Sequence, residues 1–134
     1  MEIKYRHYGI LDIYSKREMM NRYNSLFLGE SEGIKIVGYK DQFSHEYGNN
    51  EENYFAKVIR GIGLNRKSKL EGIRIKNFIG TTILGPLLVL NPIFAKHFIH
   101  NILRQPEAKV PFEKAAMEAY EARLKEYEDM KREL

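Results

Sequence analysis

The 134 residues contain no cysteine. That excludes a disulfide framework, a thiolate metal site and any cysteine nucleophile carried by these residues. Charge of one sign is nowhere concentrated. Lys and Arg number 22 against 18 Asp and Glu, which gives a net charge of +4 and a pI of about 9.2. The cations fall in short clusters (Lys16-Arg17, Arg66-Lys67, Lys69, Lys131-Arg132) and not in a stripe. A nucleic-acid backbone requires several cations on one face, so nucleic acid is not an expected partner. Long apolar runs are also missing. The most apolar stretch, 78–95, contains Pro86, Pro92, two glycines and two threonines, whereas a membrane helix needs about 20 mostly apolar residues. Met1-Glu2-Ile3-Lys4-Tyr5-Arg6 has no apolar signal core. A cytoplasmic protein with no membrane association is expected. There is no internal repeat and no low-complexity tract.

What is present is a globular mixture. Hydrophobic residues make up 43% and charged residues 30%, with seven Phe and nine Tyr. This suits one domain with its own core. Residues 8–14, 24–28, 34–39 and 54–60 are rich in aromatic and β-branched side chains and read as strands. Gly29-Glu30-Ser31-Glu32-Gly33 reads as a hairpin turn, and residues 41–53 and 61–69 as polar loops. Residues 73–84 read as the longest strand, with Ile73 and Ile75 alternating with Arg74 and Lys76.

Two helices are expected after the strands. Asn91 is placed to cap the first, with Pro92 at its first position and Phe94, Phe98 and Ile102 recurring every fourth residue. Residues 105–110 form a linker. The second helix opens at Pro111 and carries Phe112, Ala116, Tyr120, Leu124, Tyr127 and Leu134 on one stripe, with Glu121–Lys125 and Glu128–Arg132 as favourable pairs. Strands joined by turns pair antiparallel, so the order implies an α+β arrangement or the second part of an α/β domain.

Few motifs carry chemistry. The string Gly29-Glu30-Ser31-Glu32-Gly33 matches the serine-hydrolase elbow, but an elbow needs a helix after the serine and a strand follows here. Gly61-Ile62-Gly63 lacks the third glycine and the lysine of a phosphate loop. His97 and His100 are three apart on a helix without a nearby Asp or Glu, too little to hold a metal, and His97 reads as a packed or partly exposed histidine. His7 and His45 have no assignable partner, so no Ser/His/Asp set can be built.

One resemblance is broader. Gly80-Thr81-Thr82-Ile83-Leu84-Gly85-Pro86-Leu87-Leu88, followed by Asn91-Pro92, resembles the active-site strand of the cobyric-acid-synthase type of class I glutamine amidotransferases. In that family the segment reads Gly-Thr-Tyr-Leu-His-Gly-Pro-Leu-Leu, and its histidine is the catalytic base. Leu84 stands at that position. Tyr8-Gly9-Ile10-Leu11-Asp12-Ile13-Tyr14-Ser15-Lys16, Ile36-Val37-Gly38-Tyr39-Lys40-Asp41-Gln42 and Gly61-Ile62-Gly63-Leu64-Asn65 with Glu71-Gly72 are similar to further family segments, in the same order, over residues 8–103. The pattern is most similar to the small glutaminase subunits that amidate lipid II beside a Mur-ligase-like partner.

The resemblance implies the strand-rich C-terminal half of an amidotransferase-like α/β domain over residues 1–104, α+β as isolated. Residues 105–134 would supply a linker and an amphipathic helix that packs on the domain or on a partner. It also implies a cysteine nucleophile and a histidine proton shuttle, both missing here, and a glutamine-contacting arginine. Arg22, ten residues after Asp12, matches that arginine and is the one expected substrate ligand. The expected function is therefore that of a non-catalytic binding or scaffolding subunit, or a split half of a glutaminase, associated with cell-wall-precursor or cobalamin-type amidation. A glutaminase assembled in trans with a nucleophile-bearing chain and a small homo-oligomeric structural domain are the alternatives. A Mur-ligase-like protein, the missing half, or a second copy would be the partner, and no cofactor or metal is implied. Without the missing half, a sheet edge would be left exposed and would pair with something unless the C-terminal helix covers the gap.

Overall fold

The computed structural model describes residues 4–6, 11–129 and 131. Strands come first and helices last. A three-stranded sheet has the order β1 (Lys4–Arg6), β2 (Ile13–Arg17), β5 (Ser44–Gly48), and a four-stranded sheet the order β4 (Ile34–Gln42), β3 (Tyr23–Ser31), β6 (Ala56–Arg60), β7 (Leu70–Glu71). A small hairpin joins β8 (Ile73–Ile75) to β9 (Phe78–Gly80). Every pairing among the described strands is antiparallel. The helical part is α1 (Leu87–Leu90), α2 (Pro92–His97) continued by a π-helical turn at Phe98–Ile102, and α3 (Glu113–Glu128). This is an α+β fold.

The β3–β4 hairpin organises the larger sheet. Its turn is the pair Glu32-Gly33, both at positive φ (+50° and +77°), the twist that a two-residue hairpin turn requires. The expected five-residue turn is thus shorter, because Gly29, Glu30 and Ser31 still pair with Ile36, Lys35 and Ile34. Alternation then divides the side chains. Phe27 and Ile36 face one way and pack with Phe55, Ala56, Ile83 and Phe94. Leu28 and Val37 face the other way and pack against Tyr120 of α3, with Met117, Leu124 and Tyr127 around them. Each such fully buried large side chain contributes roughly 1.5–3 kcal/mol. Gly38 lies mid-strand because a β-carbon there would sit 2.4 Å from Ile83 Cγ2 and 2.9 Å from the Leu84 carbonyl oxygen.

Three expectations require correction. Residues 73–84 are not one strand: the chain reverses at Lys76-Asn77, with Lys76 at φ +54°, and Ile75 pairs with Phe78. Residues 41–53 are not all loop, since β5 lies within them and pairs with β2. The second helix does not open at Pro111, because Phe112 is left-handed (φ +56°) and exposed, and the helix starts at Glu113. Of the strand expected at 8–14, residues 8–10 lie outside the described residues, and pairing with β5 starts at Ile13. Leu134 and Arg132, expected on the second helix, also lie outside them; α3 ends at Glu128, which pairs with Lys35.

Among the described residues the outer edge of β4 has no neighbouring strand, yet its backbone is satisfied by residues from the C-terminal third. Tyr120 Oη–H donates to the Lys35 carbonyl at 2.8 Å. The Val37 N–H donates to Asn91 Oδ1 at 2.7 Å, and Asn91 Nδ2–H donates to the Val37 and Leu87 carbonyls, both at 2.8 Å. Tyr39 and Leu84 exchange N–H···O bonds of 3.3 and 2.8 Å. Asn91 stands at the N-cap of α2 with Pro92 at the first position, as expected, but its fully buried side chain makes no capping bond and plugs the strand edge instead. Asn91→Leu leaves the Val37 N–H and C=O without partners. It should destabilise the fold by roughly 2–4 kcal/mol, read as a lower urea midpoint with an unchanged slope.

Candidate functional site

Two places combine polar chemistry with the residues singled out from the sequence. The first is the surface around Leu84. The Tyr39–Leu84 bridge puts both side chains on one face, and both are exposed, Leu84 by 42%. Asp41, two residues along from Tyr39, is held in a two-bond clamp by Nε and Nη2 of Arg22. The guanidinium keeps the Asp41 carboxyl below its ordinary range. Arg22 also rests over the Phe43 ring, 5.5 Å from its centre, and its side chain is 52% exposed. Arg22, Asp41, Tyr39 and Leu84 therefore belong to one end of β4. Arg22 is already engaged by a carboxylate of the chain itself. A second carboxylate would have to use its remaining N–H groups or displace Asp41.

The second place is interior. Lys40 and Glu71 are both 0% exposed and form an ion pair of 2.6 Å. Lys40 Nζ donates also to the Gly63 carbonyl. Glu71 Oε1 accepts from Thr81 Oγ1 at 2.9 Å and from the Thr82 N–H at 3.1 Å. The pair thus ties β4 and β7 to the segment that leads into Leu84. Beside it lies Glu46, only 9% exposed, which accepts from Gln42 Nε2 at 3.0 Å. Burial pushes the Glu46 carboxyl up to about 7, against the opposing charge of Lys40. A carboxyl perturbed in this way at the wall of a cleft is a common mark of a functional site.

No protein-family model matches the sequence. Over 84 residues, 62% of the chain, it is 34% identical to subunit GatD of the glutamine-hydrolyzing lipid II isoglutaminyl synthase of Staphylococcus aureus. This is a similarity to a glutamine-hydrolyzing subunit over part of its length. The chain spans about a third of that relative's length, 33%.

The other sequence candidates are placed apart. Gly29 to Gly33 forms strand and hairpin turn, and Ser31 is buried with its hydroxyl donated to the Phe55 carbonyl at 2.6 Å, so it is no exposed nucleophile. Gly61 to Gly63 is a turn whose last carbonyl receives Lys40. His97 stacks near Phe94, and its Nε2 lies 2.7 Å from Glu32 Oε2, an acidic neighbour that linear spacing did not offer. Arg74 shares that carboxylate, and its hydrogen bond holds Glu32 below the ordinary carboxylate range. His100 contacts the Ala108 carbonyl at 2.8 Å and is not joined to His97 through a metal-type cluster. Among the described residues no group of three His, Cys, Asp or Glu could hold a metal ion. His45 is buried, stacked on Tyr23 at 3.7 Å and bonded to the Asn21 carbonyl at 2.7 Å. His7 lies outside the described residues.

Sequence reasoning missed Lys40, Glu46 and Glu71 as a set. The signal was slight: Glu71 and Lys40 each sit inside segments quoted for the resemblance, and Glu46 lies in a stretch taken for loop. Lys40→Met leaves Glu71 buried without its partner and should cost about 3–5 kcal/mol in denaturant unfolding. Glu46 supplies a test by pH. Its carboxyl sits higher in the fold, at about 7, than its ordinary value of 4.5, so the folded state holds the extra proton between these values. Stability should therefore fall as pH rises from about 4.5 to 7, by about 3 kcal/mol from this group. Glu46→Gln should flatten that slope in thermal or urea melts taken across the range.

Proposed function

We propose that this chain is an amidotransferase-like domain that does no glutamine chemistry by itself and acts as a binding or scaffolding subunit, or as a split half, in glutamine-dependent amidation of a cell-wall precursor. The observation that carries this reading is Leu84. Where the resemblance puts the histidine base stands an apolar side chain whose backbone bridges Tyr39 and whose neighbours offer no imidazole. General-base catalysis needs a group that can take a proton within hydrogen-bond reach, and a leucine has none. With no cysteine in the 134 residues, the covalent thioester route also lacks its nucleophile here. The cobyric-acid-synthase type of amidotransferase is the ancestry this reading favours. Residues 1–104 would be the amidotransferase-like part and 105–134 the linker and packing helix, with Arg22 as the surviving contact for a carboxylate.

The partner in this reading is a Mur-ligase-like chain or one that carries the nucleophile half. An exposed apolar run supports a protein partner: Leu84, Pro86, Leu88 and Val89 all lie at the surface on or beside α1. The same run favours the second reading, a glutaminase completed in trans, since a nucleophile-bearing chain would have to dock against the Leu84 strand. No helix of the described residues is long and apolar enough to cross a membrane; a cytoplasmic site of action is part of this reading.

The purified chain should release no ammonia from glutamine. Release by the purified chain, whether or not it survives replacement of His7, His45, His97 and His100, would overturn the non-catalytic reading. Mixing the chain with one that carries a glycine-flanked cysteine elbow distinguishes the two readings: release above that of the second chain alone supports assembly in trans, and unchanged release supports a binding role.

A further inference from the structure

Between the smaller sheet and the β8–β9 hairpin lies a cleft of about 240 Å³. Its walls are largely apolar, built from Leu11, Ile13, Leu64, Ile73 and Phe78, and Glu46 lines it from the same face of the smaller sheet as Ile13 and Ser15. We propose that this cleft is a binding site for a small primary ammonium ion carried on a compact apolar body, with Glu46 as its counter-ion. The proposal is independent of the amidotransferase reading.

Three features select that ligand class. First, size: an apolar cavity of roughly 150 Å³ accommodates a benzene ring, so this cleft holds a ring with a one- or two-atom substituent. Second, the polar groups at the cleft are unequally occupied. Glu71 also borders the cleft, but its two oxygens already take Lys40, Thr81 and Thr82. Lys40 is spent on Glu71 and the Gly63 carbonyl. Glu46 receives one side-chain donor, Gln42 Nε2, and no other side chain of the described residues donates to it. It is the group with capacity left. Third, charge: with all three ionised, Lys40, Glu71 and Glu46 sum to −1, so a cation completes the site and an anion is repelled. A buried carboxylate without a counter-charge of its own is costly, and an ammonium ion removes that cost. A neutral apolar molecule would fill the walls and leave it in place.

The protonation state of Glu46 makes the proposal testable without a variant. The groups that face it are Lys40 and Gln42 from β4, Glu71 from β7 and Ser15 from β2, and the two titratable ones among them, Lys40 and Glu71, are bound to each other. An ammonium ion selects ionised Glu46. With the carboxyl at about 7, affinity should be about tenfold weaker at pH 6 than at pH 8.

Benzylammonium chloride titrated into the full chain at both pH values, followed by amide NMR shifts and calorimetry, provides the test. The expected result is saturable binding at pH 8, with shifts at Glu46, Leu64 and Ile73, about tenfold weakening at pH 6 and at least tenfold weakening in Glu46→Gln. Benzyl alcohol, of the same shape but uncharged, should bind at least tenfold more weakly than the ammonium. Absence of saturable binding at pH 8, equal affinity for the alcohol, tighter binding at pH 6 or shifts confined to other surfaces would each overturn it. Should Glu46→Gln fail to fold, the pH series and the alcohol comparison on the unaltered chain still decide.

Discussion

The open edge of β4 is the constraint around which the rest of the chain is arranged. A strand at the end of a sheet presents N–H and C=O groups that either pair with another strand or must be satisfied otherwise. Here Lys35, Val37 and Tyr39, the residues whose backbone groups point outward, are met in turn by Tyr120, Asn91 and Leu84. These come from α3, from the start of α2 and from the segment before α1. The path of the C-terminal third is therefore dictated by three points of contact along one strand. The Asn91 side chain is the central one, because an amide presents a donor and an acceptor side by side and can imitate a short piece of strand. Its second donor bond, to Leu87, fixes α1 against the same edge.

Covering the edge with the chain's own residues changes what a partner can do. Strand addition along the middle of β4 would have to displace a fully buried asparagine and a buried tyrosine. A partner therefore meets side chains, and those left outward beside the edge are apolar: Leu84, Leu88 and Val89. The smaller sheet treats its own boundary in a similar way. The Glu46 N–H donates to the Leu64 carbonyl at 3.1 Å, and the Glu46 carbonyl accepts from Asn65 Nδ2 at 2.8 Å. In both sheets an asparagine side chain completes the edge of a strand.

The same habit explains which parts of the fold were legible from the residues. Runs rich in aromatic and β-branched residues marked β3, β4 and β6, whose buried members are mostly apolar. Polar residues buried with partners defeated the pattern. Residues 41–53 look like loop because His45 and Glu46 are polar, yet β5 buries both by stacking His45 on Tyr23 and placing Glu46 against Gln42. The alternation from Ile73 breaks at the polar pair Lys76-Asn77, where the chain turns back. The reversal puts Lys76 at φ +54°, a conformation that a lysine does not advertise. Asn91 before Pro92 carries the usual signature of a helix start, and nothing local reveals that its amide is claimed by a strand 54 residues earlier. Linear spacing hid the ion pair of Lys40 with Glu71 for the same reason. Arg22 and Leu84, singled out through the resemblance, lie at the same end of β4, and Asp41 as the partner of Arg22 was not foreseen.

In the proposed reading, this division bears on how a fold outlasts a chemistry. At position 84 the backbone and the side chain have separate duties. The backbone N–H and C=O of Leu84 close the edge at Tyr39, and this would be done equally by histidine or leucine. Ile83, one residue earlier, fills the space above Gly38 and is held in the core. Thr81 and Thr82 anchor the approach on Glu71, and Glu71 is fixed by Lys40. Every contact that sets the path of this segment is made by the backbone or by residues other than the one that would carry the proton. Exchange of an imidazole for an isobutyl group at an exposed site therefore leaves the packing nearly untouched and abolishes proton transfer. In the proposed reading, that is how the frame of an amidotransferase strand persists around a position that no longer performs its reaction.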